Sequence, residues 1–400
     1  SVSADFRRSI KDILASSRGV WAALLMVTAL AILSIGISSE PGMSANKVVV
    51  VLMNWTAIFV LSCYIFAQDG RAMRFAYILW VLVLFWCVAG AWEWRISRLP
   101  WAGHIPSFLA IEDENVQKLL AGSSRAATGK YRVQAKFTTS LGFSEFMALA
   151  MPFILHIGMT SRRFIEKIAA FATLPVMFWT IINTDSRLGV VGFLMTIMLY
   201  LLAWGAFRWK SSQGSLFGPA ITLAYPALFA AFISATFFIG RLRAMVWGTG
   251  AQQFSTDARQ EQWAMAIPKA LTHPWGYGIG RGAESLGFTN LAGVLTIDSY
   301  FLTVLLEFGI LGFLVYFGMI LAGIVQGAYQ CLISGGTRMG LLAPAAIALM
   351  NFVIIKSVLS QQENHPAMFM ILGMVVALIW RERRAAPTTG VPVLARGAHA

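Results

Sequence analysis

Arg187 and Arg259 are the residues in this sequence whose type and setting best suit chemistry on an anion. Arg187 closes the segment Asn183-Thr184-Asp185-Ser186 and opens an apolar run at Leu188-Gly189. A guanidinium there either snorkels to lipid headgroups or grips a phosphate with its rigid fork, which lysine cannot imitate. Arg259 lies in Thr256-Asp257-Ala258-Arg259-Gln260-Glu261-Gln262-Trp263-Ala264-Met265-Ala266-Ile267-Pro268. Spacings of four put Arg259, Trp263 and Ile267 on one helical row. A simple amphipathic helix would keep its arginine on the wet side, so this pattern aims Arg259 at the bundle or at the lipid boundary. The alternative is snorkelling beside the tryptophan, with cation–π stacking.

Three further stretches add polar groups. His273-Pro274-Trp275-Gly276-Tyr277-Gly278-Ile279-Gly280-Arg281 is glycine-punctuated and permits a tight backbone. It matches neither a dinucleotide nor a P-loop signature. Ile297-Asp298-Ser299-Tyr300 opens another apolar run, with Glu307, Gly309 and Gly312 inside it. Asp298 or Ser299 is a good helix cap, and a cap can also serve in a site. Gly309 and Gly312 favour close helix contact. Glu307 lies nine residues in, roughly 13 Å deep at ~1.5 Å per residue, and needs a partner there. Finally, Lys356 through His365 is a short polar loop in which Gln361, Gln362 and His365 either line a cavity or are simply solvated.

The elements that must position these groups follow from composition. The 400 residues are 58% hydrophobic and 12% charged, about half the charge of an ordinary soluble domain. Apolar runs of about 20 residues recur along the chain, long enough to cross a ~30 Å hydrocarbon core. The expected class is an all-α polytopic membrane protein of about ten transmembrane helices. Soluble enzyme, disordered chain and disulfide scaffold are excluded, and continuous rather than alternating runs argue against a barrel. Cys63, Cys87 and Cys331 have no metal-site spacing and read as small hydrophobes. The basic start precedes a run too long for a signal-peptide core, read as a retained first span.

Spans are expected near 20–38, 48–67, 73–94, 141–159, 164–182, 187–205, 216–238, 298–323, 339–357 and 366–380. Alternation puts both termini and the loops holding sixteen of the 31 lysines and arginines on one side. The short loops opposite hold only Lys47, Arg187 and Lys356. The positive-inside rule therefore makes both termini cytoplasmic. Residues 1–384 form one transmembrane domain with two long extracytoplasmic loops, 95–140 and 239–297, and residues 385–400 read as a disordered cytoplasmic tail. The second loop carries Arg241, Arg243, Arg259, Lys269 and Arg281. Its basic charge either is solvated surplus or attracts an anionic lipid-borne partner. Net charge of +13 is otherwise explained by topology and does not imply nucleic acid. Topology gathers Arg187, Arg259, Asp298 and His365, from four separate stretches, at one membrane face.

This pattern resembles the O-antigen ligase/O-antigen polymerase superfamily of bacterial lipid-linked glycan transferases. The matching pieces are Ser186-Arg187, Arg259-x-x-x-Trp263 with its Pro-x-Gly-Tyr-Gly-x-Gly continuation, and Asp298-Ser299 followed by Gly309-Ile310-Leu311-Gly312. Arg132-Val133-Gln134-Ala135-Lys136-Phe137 and Pro152 also look like the family's stretch entering a middle span. The likeness covers about residues 130–315. Ligases of the family are similar but carry histidine where this chain has Asp298, and polymerases resemble the Asp version better.

The resemblance implies a GT-C-like enzyme of the bacterial inner membrane with its active site on the periplasmic face. It implies metal-independent, inverting transfer of glycan from undecaprenyl pyrophosphate to an acceptor sugar hydroxyl. Arg187 and Arg259 would stabilise the diphosphate, and Asp298, with His365 as the second candidate base, would serve the acceptor. Arg132, Lys136, Trp263, Arg281, Gln361 and His365 are expected to bind substrate. The partners are the lipid-linked donor, the acceptor glycan, the bilayer and a chain-length regulator; no cofactor is implied. A ligase to lipid A–core is the first rival. A lipid-linked glycan transporter is the second, disfavoured because most spans lack charge at mid-depth.

Overall fold

A computed structural model of the chain describes residues 4–104, 120, 122–124, 129–211, 214–240, 243, 246–247, 253–290, 293–333 and 339–385. Residues 386–400 of the expected tail, Arg241 and Arg338 lie outside the described residues. Nine helices among them are long and apolar enough to cross a membrane, and Leu342–Lys356 is a shorter apolar helix. The chain is an all-α polytopic membrane protein.

In chain order, an amphipathic helix α1 (Ala4–Ala15) precedes α2 (Arg18–Leu33), which tightens into a 3₁₀ turn at Ser34–Ile37. Next, α3 (Pro41–Val51) and α4 (Ile58–Phe66) are joined through a π-helical segment, Leu52–Ala57. The wide turn buries Trp55 against Tyr316 and Phe369. Then follow α5 (Arg71–Ile96), α6 (Ser140–Thr160), α7 (Phe164–Asn183), α8 (Arg187–Ser211) and α9 (Phe217–Phe238). The second long loop contributes α10 (Gln253–Thr272) and the short α11 (Gly282–Leu286). The chain ends with α12 (Tyr300–Ile333), α13 (Leu342–Lys356) and α14 (His365–Ala385). Each expected span has its helix, within a few residues at most ends.

α6 is the central post, with nearly every residue buried. Small residues let its neighbours close on it: a Cβ at Gly189 would press on Ser144, and one at Gly192 on Ala148. Polar groups that lipid could not satisfy are paired across these contacts. Asn351 donates to the Ala148 carbonyl at 2.9 Å and to Thr196 at 2.7 Å, and Ser144 and Ser186 hydroxyls meet at 2.8 Å. By contrast, α9 exposes most of its apolar surface, as a lipid-facing helix does, and is held to α8 by Gly205 and Gly218.

α12 is not a simple span. At Gly309 its backbone turns to φ 69°, ψ −172°, a conformation essentially confined to glycine. The loop after α10 fills the resulting break: Tyr277 N donates to Leu306 O at 2.8 Å, Gly278 N to Glu307 O at 3.1 Å, and Ile310 N to Pro274 O at 3.0 Å. Gly309 thus serves the loop rather than a facing helix, whereas Gly312 faces Leu30 of α2, in keeping with the close helix contact expected there. A Cβ at Gly309 would collide with the Pro274 carbonyl, and one at Gly312 with Phe308 across the kink. Gly309→Ala is therefore expected to cost ~1–3 kcal/mol from backbone strain alone, more with the collision. A thermal melt of the purified variant checks this; an unchanged melting temperature would contradict the account of the kink.

Candidate active site

The floor of the site is a buried ion pair. Glu145, in the second turn of α6, and Lys356, the last residue of α13, are both 0% exposed, with Lys356 Nζ 2.9 Å from one carboxylate oxygen and 3.0 Å from the other. Asn364 Nδ2 donates to Glu145 at 3.0 Å and to the Gly142 carbonyl at 2.9 Å, and Lys356 also donates to the Gln361 carbonyl. Phe352 and Tyr300 rings stand over the ammonium at 5.1 and 5.9 Å. A buried charge is tolerable only when paired and hydrogen-bonded in this manner, so the pair fixes both ends of the loop 357–364.

That loop in turn holds Asp298. Ser299 donates its hydroxyl to the Ser357 carbonyl at 2.7 Å, and the Asp298 backbone N–H donates to Gln262 Oε1 at 2.9 Å. Gln262 lies on α10 one turn from Arg259, and Arg259 interacts electrostatically with the Asp298 carboxylate. Partial burial pushes the Arg259 guanidinium below its ordinary value, and Asp298 acts against that shift. Arg259 Nε and Gln262 Nε2 are both buried with no hydrogen-bond partner among the described residues. Orphaned buried donors are uncommon in folded proteins, and here two occur one turn apart beside a carboxylate. The cavity against Asp298 is about 590 Å³ and is lined by Asp257, Glu261, Thr289, Asn290 and Thr296 as well.

Arg187 opens α8 at the same end of the bundle. Its neighbour Leu188 packs with Ile355 and Leu359, and its own Nη1 donates to the Trp247 carbonyl at 3.0 Å. Arg132 joins it: its Nε donates to the Thr184 carbonyl at 3.1 Å. This placement depends on Glu93, buried near the end of α5, which accepts from Tyr131 OH at 2.7 Å, Gln134 N at 3.0 Å and Ala135 N at 2.7 Å. Val133 N donates to Asn183 O at 3.0 Å, pinning the two loops together. Burial and the Glu93 carboxylate raise the Tyr131 hydroxyl above its ordinary value. Glu363 leans on Gly142 and accepts from Thr138 N at 3.0 Å; its carboxyl is raised, chiefly by burial.

Other expected residues sit differently. The buried row of α10 runs through Gln262, Ala266 and Ala270, whereas Ile267 is 49% exposed and Trp263 only partly covered. Small side chains let α10 lie close on α12, and the row of Arg259, Trp263 and Ile267 flanks that contact, with its exposed end on the side expected for the lipid boundary rather than the bundle. Arg281 is 8% exposed and is held by Glu40 at 3.0 Å and by Glu284, so it pins its loop to the start of α3. His365 is buried among Trp55, Tyr300 and Phe352, with Nδ1 2.9 Å from the Gln362 carbonyl, and forms part of the floor. Gln361 is partly buried beside it. Lys136 is exposed over Trp86, 5.4 Å from the ring centre.

Sequence reasoning missed Glu145, Asn364, Glu93 and Gln262. For the two glutamates the signal was present, since an acid inside an apolar span calls for a partner.

Residues 147–317 match the family model described as O-antigen ligase. That stretch contains Arg187, Arg259, Gln262, Asp298 and the Gly309 kink, while Lys356 and the loop after it lie beyond it. No curated protein matches the chain.

Proposed function

We propose that this chain, whose residues 147–317 match the family model described as O-antigen ligase, is a polysaccharide polymerase of the O-antigen ligase/polymerase superfamily. It extends O-antigen or exopolysaccharide chains by moving glycan from undecaprenyl pyrophosphate to an acceptor sugar hydroxyl, at the periplasmic face of the bacterial inner membrane. The observation that carries the reading is the pair of orphaned donors, Arg259 Nε and Gln262 Nε2, beside Asp298.

The acceptor oxygen attacks the anomeric carbon as the bond from that carbon to the pyrophosphate oxygen breaks, with inversion. The electron pair leaves on the diphosphate, and the hydroxyl proton passes to the Asp298 carboxylate. Arg259, with Arg187, holds the growing negative charge, the electrostatic role that usually contributes most. Asp298 would repel the diphosphate, so it faces the acceptor as base or orienter. The acidic lining of the adjoining cavity suits sugar hydroxyls better than phosphate, which supports that division.

The ligase reading stays beside it because the matching model bears that description; the aspartate in place of the histidine carried by the family's ligases favours a polymerase. Deleting the chain's gene in its host separates the two. A polymerase mutant loses long chains and retains single attached units, whereas loss of all attachment would overturn the polymerase reading in favour of ligation.

A further inference from the structure

A second, smaller cavity of about 180 Å³ lies on the other side of the 297–300 segment. It is lined by Lys47 from α3, Thr303 and Glu307 from α12, Ser360 and Gln362 from the final loop, and the faces of Trp55 and Tyr300. Glu307 is 6% exposed, and one carboxylate oxygen accepts from Gly282 N at 3.4 Å. The carboxylate retains further lone pairs to offer. Lys47 donates no hydrogen bond among the described residues, although its charge acts on Glu307. The space corresponds to about six waters at ~30 Å³ each, enough for one sugar ring and too small for a chain. A mainly apolar cavity with a few convergent polar groups is the ordinary form of a small-ligand site. Lys47 offers donors, Glu307 acceptors, and Thr303, Ser360 and Gln362 both, the mixture that sugar hydroxyls require, with Trp55 and Tyr300 for the C–H face of the ring. Ile297 and Tyr300 line this cavity while Asp298, between them, lines the larger one.

We infer that this cavity seats the terminal sugar ring of the acceptor, with Lys47 and Glu307 gripping its hydroxyls so that one hydroxyl reaches Asp298. The inference rests on the glycan-transfer reading and adds the acceptor's binding residues to it.

The test uses the purified full chain, the lipid-linked donor, and as acceptor probe the single-repeat oligosaccharide released by mild acid from the host's own polysaccharide. Lys47→Met removes the ammonium from an exposed side chain, and Ala283→Leu fills the cavity from its wall. Both variants are expected to raise the acceptor KM tenfold or more while the donor KM changes less than twofold. An unchanged acceptor KM in both, or a raised donor KM instead, overturns the inference and leaves the transferase reading intact. Direct binding of the probe, measured by calorimetry, keeps the two claims separable. Probe binding lost in both variants, with no transfer by the unmodified protein, would support the sugar site and remove the polymerase reading.

Discussion

Arg259→Lys is expected to slow glycan transfer roughly tenfold to a hundredfold or more, with the protein still reaching the membrane in normal amount. The positive charge survives the substitution; what is lost is the planar fork and the buried Nε, which lysine does not replace. A charge-assisted hydrogen bond contributes ~1.5–3 kcal/mol, and each ~1.4 kcal/mol is tenfold in rate. Because Arg259 is only partly buried and its Nε has no partner among the described residues, its removal should not disturb the fold. Arg187→Lys is expected to act in the same direction. The measurement is polymer length and initial rate with purified enzyme, and normal polymer from both variants would remove the proposed mechanism.

Lys356→Met should instead destabilise the molecule, by ~3–5 kcal/mol, the usual consequence of leaving a buried charge without its counterion. Glu145 would then sit at 0% exposure with, among the described residues, Asn364 alone donating to it. The double variant Glu145→Gln/Lys356→Met is expected to recover most of that loss, because a neutral amide still accepts from Asn364. Thermal denaturation in detergent reads both effects. The double variant should nevertheless transfer glycan poorly, since Lys356 also holds the Gln361 carbonyl and thereby the loop that fixes Ser299 and Asp298. A single variant as stable as the parent would show that the pair does not anchor the site.

Arg187 and Lys356 also mark how much of the molecule its sequence reveals. The spans were legible because a run of twenty apolar residues has no other stable home than a membrane helix. The start of α8 at Arg187 was legible too, because an apolar run opens there. Lys356 was counted as one more loop charge, because its partner lies 211 residues earlier in the chain. Neither hydropathy nor charge alternation reports a pairing at that distance. Glu307 was rightly expected to find partners, but they proved to be backbone amides of the glycine loop, which no side-chain pattern reveals. The inward row of α10 was not legible for a related reason: periodicity marks the large apolar residues, whereas close packing on α12 selects Ala266 and Ala270. Long-range polar pairings and small-residue contacts are properties of the assembled bundle.

The account is tested most directly by a density map of the protein with lipid-linked donor bound. It predicts the diphosphate within hydrogen-bond distance of the guanidinium groups of both Arg187 and Arg259, with the anomeric carbon turned toward Asp298. A diphosphate touching neither arginine, or two guanidiniums too far apart for one headgroup to bridge, would contradict it.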